Sequence, residues 1–164
     1  MTNNKKIHLL MVDDEVKFLD TITRRLELKF LKITTATNGA DAIEAAKKGQ
    51  FDVAVIDLQM PGIDGIQVLK ILKMNHKYLE IIILSGHATI KTAVECSKLG
   101  AFKILEKPCD FEKLVHVLKE AYELRLKKKF EQDQLRMKKI QTLAMGGSPL
   151  GILKGLAQMD EDEK

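Results

Sequence analysis

Residues Phe51-Asp52-Val53-Ala54-Val55-Ile56-Asp57, running on into Leu58-Gln59-Met60-Pro61-Gly62-Ile63-Asp64-Gly65, decide how this chain folds. Four consecutive aliphatic residues are what a strand buried on both faces requires, and such strands belong to parallel sheets. The run stops abruptly at a carboxylate. An ionised group beside a buried strand is costly unless it is paired. The segment behind Asp57 already carries its own turn residues, so a loop-capping role, while open, is not needed there. A nucleophilic carboxylate is the reading that uses the position.

Working outward, the same design recurs on either side. Ile7–Val12 is an apolar run with one His that ends in Asp13-Asp14-Glu15, and Glu80–Ser85 ends in Ser85-Gly86. Ala101–Leu105 leads into Glu106-Lys107-Pro108, and Lys32–Ala36 reads as a further strand rich in β-branched residues. Between these runs apolar residues recur at helical spacing: Val16, Leu19, Ile22, Leu26 and Phe30; Ala42, Ile43, Ala45 and Ala46 up to Gly49; Gly65–Asn75; and about Thr89 to Leu99. Asp110 reads as the N-cap of a last helix through Leu114, Val117, Leu118 and Ala121. Strands alternating with helices predict a parallel sheet with right-handed crossovers and helices on both faces. In such sheets ligands bind at the carboxyl ends of the strands, which is where these polar groups stand.

Three carboxylates gathered at one edge repel one another unless a cation sits among them. Oxygen-only ligands favour a hard divalent ion such as Mg²⁺. Asp13-Asp14-Glu15 alone reads equally well as the acidic start of a helix. Lys107 alone reads as a surface lysine, although Pro108 biases it toward an extended backbone and the charge balance of the cleft calls for an ammonium. Ser85 either begins a turn or donates its hydroxyl to a phosphoryl oxygen, with Gly86 leaving room. The combination, at the ends of four strands, implies phosphoryl transfer to a carboxylate.

Composition narrows the setting. The chain has 164 residues, 45% of them hydrophobic and 30% charged, which fits one folded domain with an appendage rather than a disordered chain. The aliphatic run Ile81–Leu84 is far too short to cross a bilayer. No apolar stretch follows a basic start, so a cytoplasmic location is expected. Cys96 and Cys109 have the spacing of neither a zinc ribbon nor a redox pair. Residues 1–124 hold 18 basic and 17 acidic groups, a near balance that gives no footprint for nucleic acid.

The residues quoted above resemble the receiver domain of bacterial two-component response regulators, over about residues 5–124. The resemblance implies a flavodoxin-like α/β fold with a five-stranded parallel sheet of order 2-1-3-4-5. By motif, Asp57 matches the phosphoacceptor. Asp13 and Asp14 match the acidic pair that places Mg²⁺, Asp14 being the closer ligand, and the backbone carbonyl of Gln59 completes that set. Ser85 matches the family's hydroxyl, and Lys107-Pro108 the phosphate-contacting lysine followed by a cis-proline. Gln59 and His87 fall where side chains tune attack of water on the phosphoryl group. One departure stands out: three residues before the lysine, where the family places Tyr or Phe as a rotameric switch, this chain has Ile104. Phe102 is expected on the same face, one pleat away. Phosphorylation is then expected to move Ser85 and the following loop while Ile104 repacks less.

The resemblance implies a sensor histidine kinase or phosphotransfer protein as donor. It also implies a downstream protein target on the face of the fourth helix, fifth strand and fifth helix. A haloacid-dehalogenase-like phosphatase would want a second aspartate where Gln59 stands, and no Gly-rich phosphate cradle occurs. An adaptor that is never phosphorylated, or a piece of a longer transcriptional regulator, are the other readings. Residues 125–164 carry no recognisable output domain. The last helix is expected to run on to about Ala144, since no Gly or Pro intervenes. Leu126, Phe130, Met137, Ile140 and Ala144 lie at four-three spacing with Asp133 in the same stripe, which suits either a homodimeric coiled coil or a solvated helix. Gly146-Gly147-Ser148-Pro149 is expected to break it, Leu150–Met159 to form a short amphipathic segment, and Asp160 to Glu163 an acidic tail. The basic stretch Arg125 to Lys139 lacks aromatic interleaving, so it gives no direct evidence for DNA binding.

Overall fold

A computed structural model describes residues 5–29, 31–146 and 149–162. The elements run β1 (Ile7–Val12), α1 (Val16–Glu27), β2 (Leu31–Ala36), α2 (Gly39–Lys48), β3 (Val53–Ile56), α3 (Gly65–Asn75), β4 (Glu80–Ser85), α4 (Ile90–Lys98), β5 (Lys103–Glu106), α5 (Phe111–Gly146) and α6 (Pro149–Asp162). The five strands are parallel in the order β2-β1-β3-β4-β5, the flavodoxin-like order expected.

The period of two along each strand sorts the core into two layers. Leu9, Met11, Val53, Val55, Ile82, Leu84 and Leu105 face α1 and the first turns of α5. Leu10, Val12, Ala54, Ile56, Ile81 and Ile83 face α2, α3 and α4. All four residues of β3 and all six of β4 are buried, which is why neither shows the polar alternation of a half-exposed strand. Short polar side chains set the helix starts. Asn38 accepts from the Asp41 N–H at 2.8 Å, and Asp64 with Gln67 and Thr89 with Thr92 form capping boxes.

Several expected boundaries shift. β3 is Val53–Ile56 rather than 51–57, because the ladder to β1 and β4 ends there and Asp57 belongs to the loop. β5 begins at Lys103, not Ala101. Phe102 therefore lies before the alternating part of the strand. It packs in the α1/α5 layer while Ile104 packs in the other, so the two do not share a face. α1 ends at Glu27: Leu28 is 82% exposed and the Lys29 N–H turns back to the Leu26 carbonyl at 2.8 Å. Phe30, Gly147, Ser148 and Glu163 lie outside the described residues.

The chain divides into two compact units, residues 1–125 and 126–164. In the second, Gly155 lets α6 approach the distal part of α5, since a Cβ there would stand 2.4 Å from Leu143 Cδ1. Met159 is buried, and Arg136 pairs with Asp160 at 2.8 Å. The expected short segment plus acidic tail is thus one helix, with Asp160 to Asp162 in its last turn. Among the described residues no helix is long and apolar enough to cross a membrane.

Candidate functional site

Register brings the polar strand ends together. Val12 pairs with Ile56, Ile56 with Ile83, and Ser85 with Glu106. The ladder extends one step further through Asp57 N–H to the Val12 carbonyl and Lys107 N–H to the Ser85 carbonyl, both at 3.0 Å. Asp13, Asp57, Ser85 and Lys107 consequently share one level at the carboxyl edge of β1, β3, β4 and β5.

One carboxylate oxygen from each of Asp13, Asp14 and Asp57 lies within 4.8 Å of the others. Asp13 and Asp57 are buried, while Asp14 is exposed at the mouth. Lys107 reaches among them, its Nζ 2.5 Å from Asp13 Oδ2 and 3.8 Å from both Asp57 Oδ2 and Glu15 Oε1. The Lys107–Pro108 peptide is cis. A single ammonium does not neutralise so many acids, and Asp57 Oδ1 is buried with no hydrogen-bond partner among the described residues. A buried lone pair left unsatisfied is costly. Burial holds the Asp13 carboxyl above its ordinary 3.8, outweighing the opposing bonds from Lys107 and from the Glu15 N–H. Crowded oxygens, an orphan lone pair and an open mouth at Asp14 fit a hard divalent cation; Asp13, Asp14 and Asp57 would hold it.

The rival capping role does not describe Asp13. The N-cap of α1 is Glu15, without a side-chain capping bond, and Asp13 Oδ1 instead accepts from the Glu15 N–H at 2.9 Å. That bond fixes one carboxylate oxygen while the other meets Lys107. Ser85 is fully buried, and its Oγ accepts from the His87 N–H at 3.2 Å. A hydroxyl so engaged still has its own proton to donate. A Cβ added at Gly86 would stand 3.9 Å from Lys107 Cβ, so space, not backbone need, is what that glycine leaves. Ile104 is half-buried against the α4-side core.

Two clefts open at the site. One, of about 570 Å³, is lined by Asp14, Gln59, Met60, Pro61, His87 and Thr92 among others. The second, of about 530 Å³, includes Asp57, Lys107, Glu15, Phe18, Gly86 and His87. His87 borders both. Gln59 and His87 are thus brought to the rim of the acidic cluster, on the loops after β3 and β4. Sequence reasoning passed over Glu15 and Phe18 as neighbours of Lys107. Their three-residue spacing at the start of a helix was the available signal, since it places both on one side of α1.

Comparison with known proteins gives a consistent picture. The family model for the response regulator receiver domain matches residues 9–119. A putative response regulator NtrX-like protein of Rickettsia bellii is 32% identical over 157 residues, covering 94% of this chain and 33% of that protein. The chain spans about a third of the length of the first curated relatives it matches. Among solved structures, the receiver domain of NtrX from Brucella abortus is 31% identical with a TM-score of 0.66, covering 70% of this chain and 98% of that one. The CheX–CheY–BeF₃–Mg²⁺ complex from Borrelia burgdorferi matches at 25% identity and TM-score 0.67, covering 71% and 89%.

Proposed function

The chain belongs to the response regulator receiver domain family of two-component systems, and from that premise we propose that it accepts a phosphoryl group onto Asp57 in a Mg²⁺-dependent reaction. The observation that carries the proposal is the orphaned, buried Asp57 Oδ1 beside Asp13, Asp14 and Lys107. The donor is a sensor histidine kinase or a phosphotransfer protein. The receiver function is assigned to residues 1–124, with 125–164 as a helical extension, and the setting is the cytoplasm.

A carboxylate oxygen of Asp57 attacks phosphorus as the donor's bond to phosphorus breaks, which leaves an acyl phosphate on Asp57 and returns the electron pair to the donor. When bound, Mg²⁺ supplies charge neutralisation and a template for the phosphoryl oxygens. The residues named do the rest. Asp13, Asp14, Asp57 and the Gln59 carbonyl would hold the ion, Lys107 exchanges its bond to Asp13 for a phosphoryl oxygen, and the Ser85 hydroxyl donates to another. Since these groups belong to the receiver, it catalyses its own labelling from small acyl phosphates. Gln59 and His87, at the rim, set how easily water reaches the product. The relation to a complex that contains BeF₃ and Mg²⁺ supports this chemistry.

Output runs through changed protein contacts. Ile90 and Val94 are exposed one turn apart on α4, beside β5 and the start of α5, where Lys103 pairs with Glu120 at 3.6 Å. This supports a downstream protein on that face. Leu126, Phe130 and Met137 are exposed on the distal part of α5 and support a homodimer through that helix.

The test is incubation with Mg²⁺ and acetyl phosphate followed by intact mass. One added phosphoryl that survives acid, is released by base and disappears in Asp57→Asn is expected. Turnover of many exogenous phosphoesters would favour a phosphatase, and no uptake at all an unphosphorylated adaptor.

A further inference from the structure

Lys107 has a fourth neighbour that the charge chemistry does not account for. Its Nζ lies 4.3 Å from the centroid of the Phe18 ring, well inside the range at which a cation is attracted to an aromatic face. We infer that Phe18 is a positioning residue for Lys107, holding the ammonium beside Asp57 through its ring; this rests on the phosphoacceptor reading above.

The argument begins with charge. Lys107 must remain within reach of Asp57 yet be free to leave Asp13, to which it is bonded at 2.5 Å. A further carboxylate would hold it, but would add negative charge to a cleft already crowded with acids and compete for the cation. An aromatic face attracts the ammonium with no net charge and takes no particular donor hydrogen. The ring contact can therefore persist while the hydrogen bond changes partner. Lys107 is only 16% exposed, so water screens the contact little.

The ring is itself held in place. Phe18 packs against the buried layer formed by α1, α5 and the sheet, and it lines the same cleft as Asp57, Ile22 and Leu114. It stands three residues after Glu15, whose N–H binds Asp13. A second contact of the same kind runs the other way: Arg25 of α1 lies over the Phe111 ring at 3.9 Å. The segment from Lys107 to Phe111 is thus tied to α1 at both ends. Through Phe18 the lysine is referenced to the helix whose approach carries Asp13 and Asp14.

The test is a double-mutant cycle in the full chain with Phe18→Leu, Lys107→Met and their combination, beside Phe18→Tyr. Labelling by acetyl phosphate at saturating Mg²⁺ gives the rate, and the Lys107 ε-methylene shift in a ¹H–¹³C spectrum reports ring proximity. Phe18→Leu is expected to slow labelling about five-fold, equivalent to about 1 kcal/mol, and to abolish the ring-current shift of that methylene. Phe18→Tyr is expected to restore both. In the Lys107→Met background Phe18→Leu is expected to change the labelling rate no further. An equal slowing in that background, or labelling by Phe18→Leu at the wild-type rate, overturns the proposal and leaves Phe18 as packing. If the wild type shows the ring-current shift but takes no label, the phosphoacceptor reading itself fails and the positioning role falls with it.

Discussion

Asp57 combines two properties that stability alone would not select: it is buried, and one of its oxygens has no hydrogen-bond partner among the described residues. Asp57→Asn removes the charge with almost no change in shape. It is expected to abolish labelling while stabilising the metal-free protein by about 1 kcal/mol, read as a higher urea midpoint. Asp13 tells the same story through protons. Because burial raises its folded pKa above 3.8, the native state binds more protons than the unfolded chain between those two values. The Asp13 contribution to metal-free stability therefore falls as pH rises through that window. Urea midpoints measured upward from pH 3.8 are expected to drop less steeply in Asp13→Asn than in the wild type, and Mg²⁺ to raise the wild-type midpoint above the window. The acids, the serine and the lysine were legible because each ends an apolar run. Phe18 and Glu15 were not, because a Phe at helical spacing reads as core and an acid before a helix reads as a cap; only the reach of the Lys107 side chain, from the segment after β5, brings it to them.

Loops after strands are positioned here by close backbone contact. A Cβ on Gly65, the first residue of α3, would lie 2.1 Å from the Asp57 carbonyl oxygen and 2.7 Å from the Leu58 Cα. Backbone atoms cannot step aside as a flexible side chain can, so the β3–α3 loop would have to move. Gly65→Ala is expected to cost about 3 kcal/mol and to weaken Mg²⁺-induced stabilisation, although it touches no ligand; paired melts with and without Mg²⁺ check both. At the opposite edge of the sheet Arg125 donates to Asp52 Oδ1 at 2.8 Å and to the Tyr78 carbonyl at 2.7 Å, while Asp52 Oδ2 accepts from the His8 N–H. Arg125→Met strands a largely buried carboxylate and is expected to cost about 3 kcal/mol with the labelling rate unchanged, since the two ends of the sheet share no side chain. The order of elements could be read because strands buried on both faces and helices buried on one have different periods. Their ends could not, because a ladder stops where a partner strand stops, and Phe102 changed layers for that reason.

The two units differ in how completely they close. Every acid, amine and hydroxyl assigned to the site lies within residues 1–125, as do both layers buried around the sheet. Residues 126–164 form a helical pair with little interior: Met159 is buried, but Leu126, Phe130, Leu135, Met137, Leu150 and Leu153 are each about half exposed or more. So short a helical pair buries too little apolar surface to be stable by itself, and the exposed stripe on α5 offers more to bury. A second copy supplies a matching stripe, and closed two-fold pairing uses the same patch twice. The sequence showed the stripe and its interruption by Asp133, yet whether such a stripe is covered depends on a partner surface, which local periodicity does not encode. Sedimentation equilibrium of the full chain is expected to show mass rising with concentration toward a dimer. Phe130→Glu puts a charge into the stripe and is expected to keep the protein monomeric at the same concentrations, with labelling of Asp57 intact. A chain ending at Arg125 is expected to behave likewise, because it retains the Asp52 bond and loses the stripe together with the whole second unit. Self-association that survives in the shortened chain would instead assign the interface to the receiver, with the exposed Ile90 and Val94 of α4 the first residues to substitute.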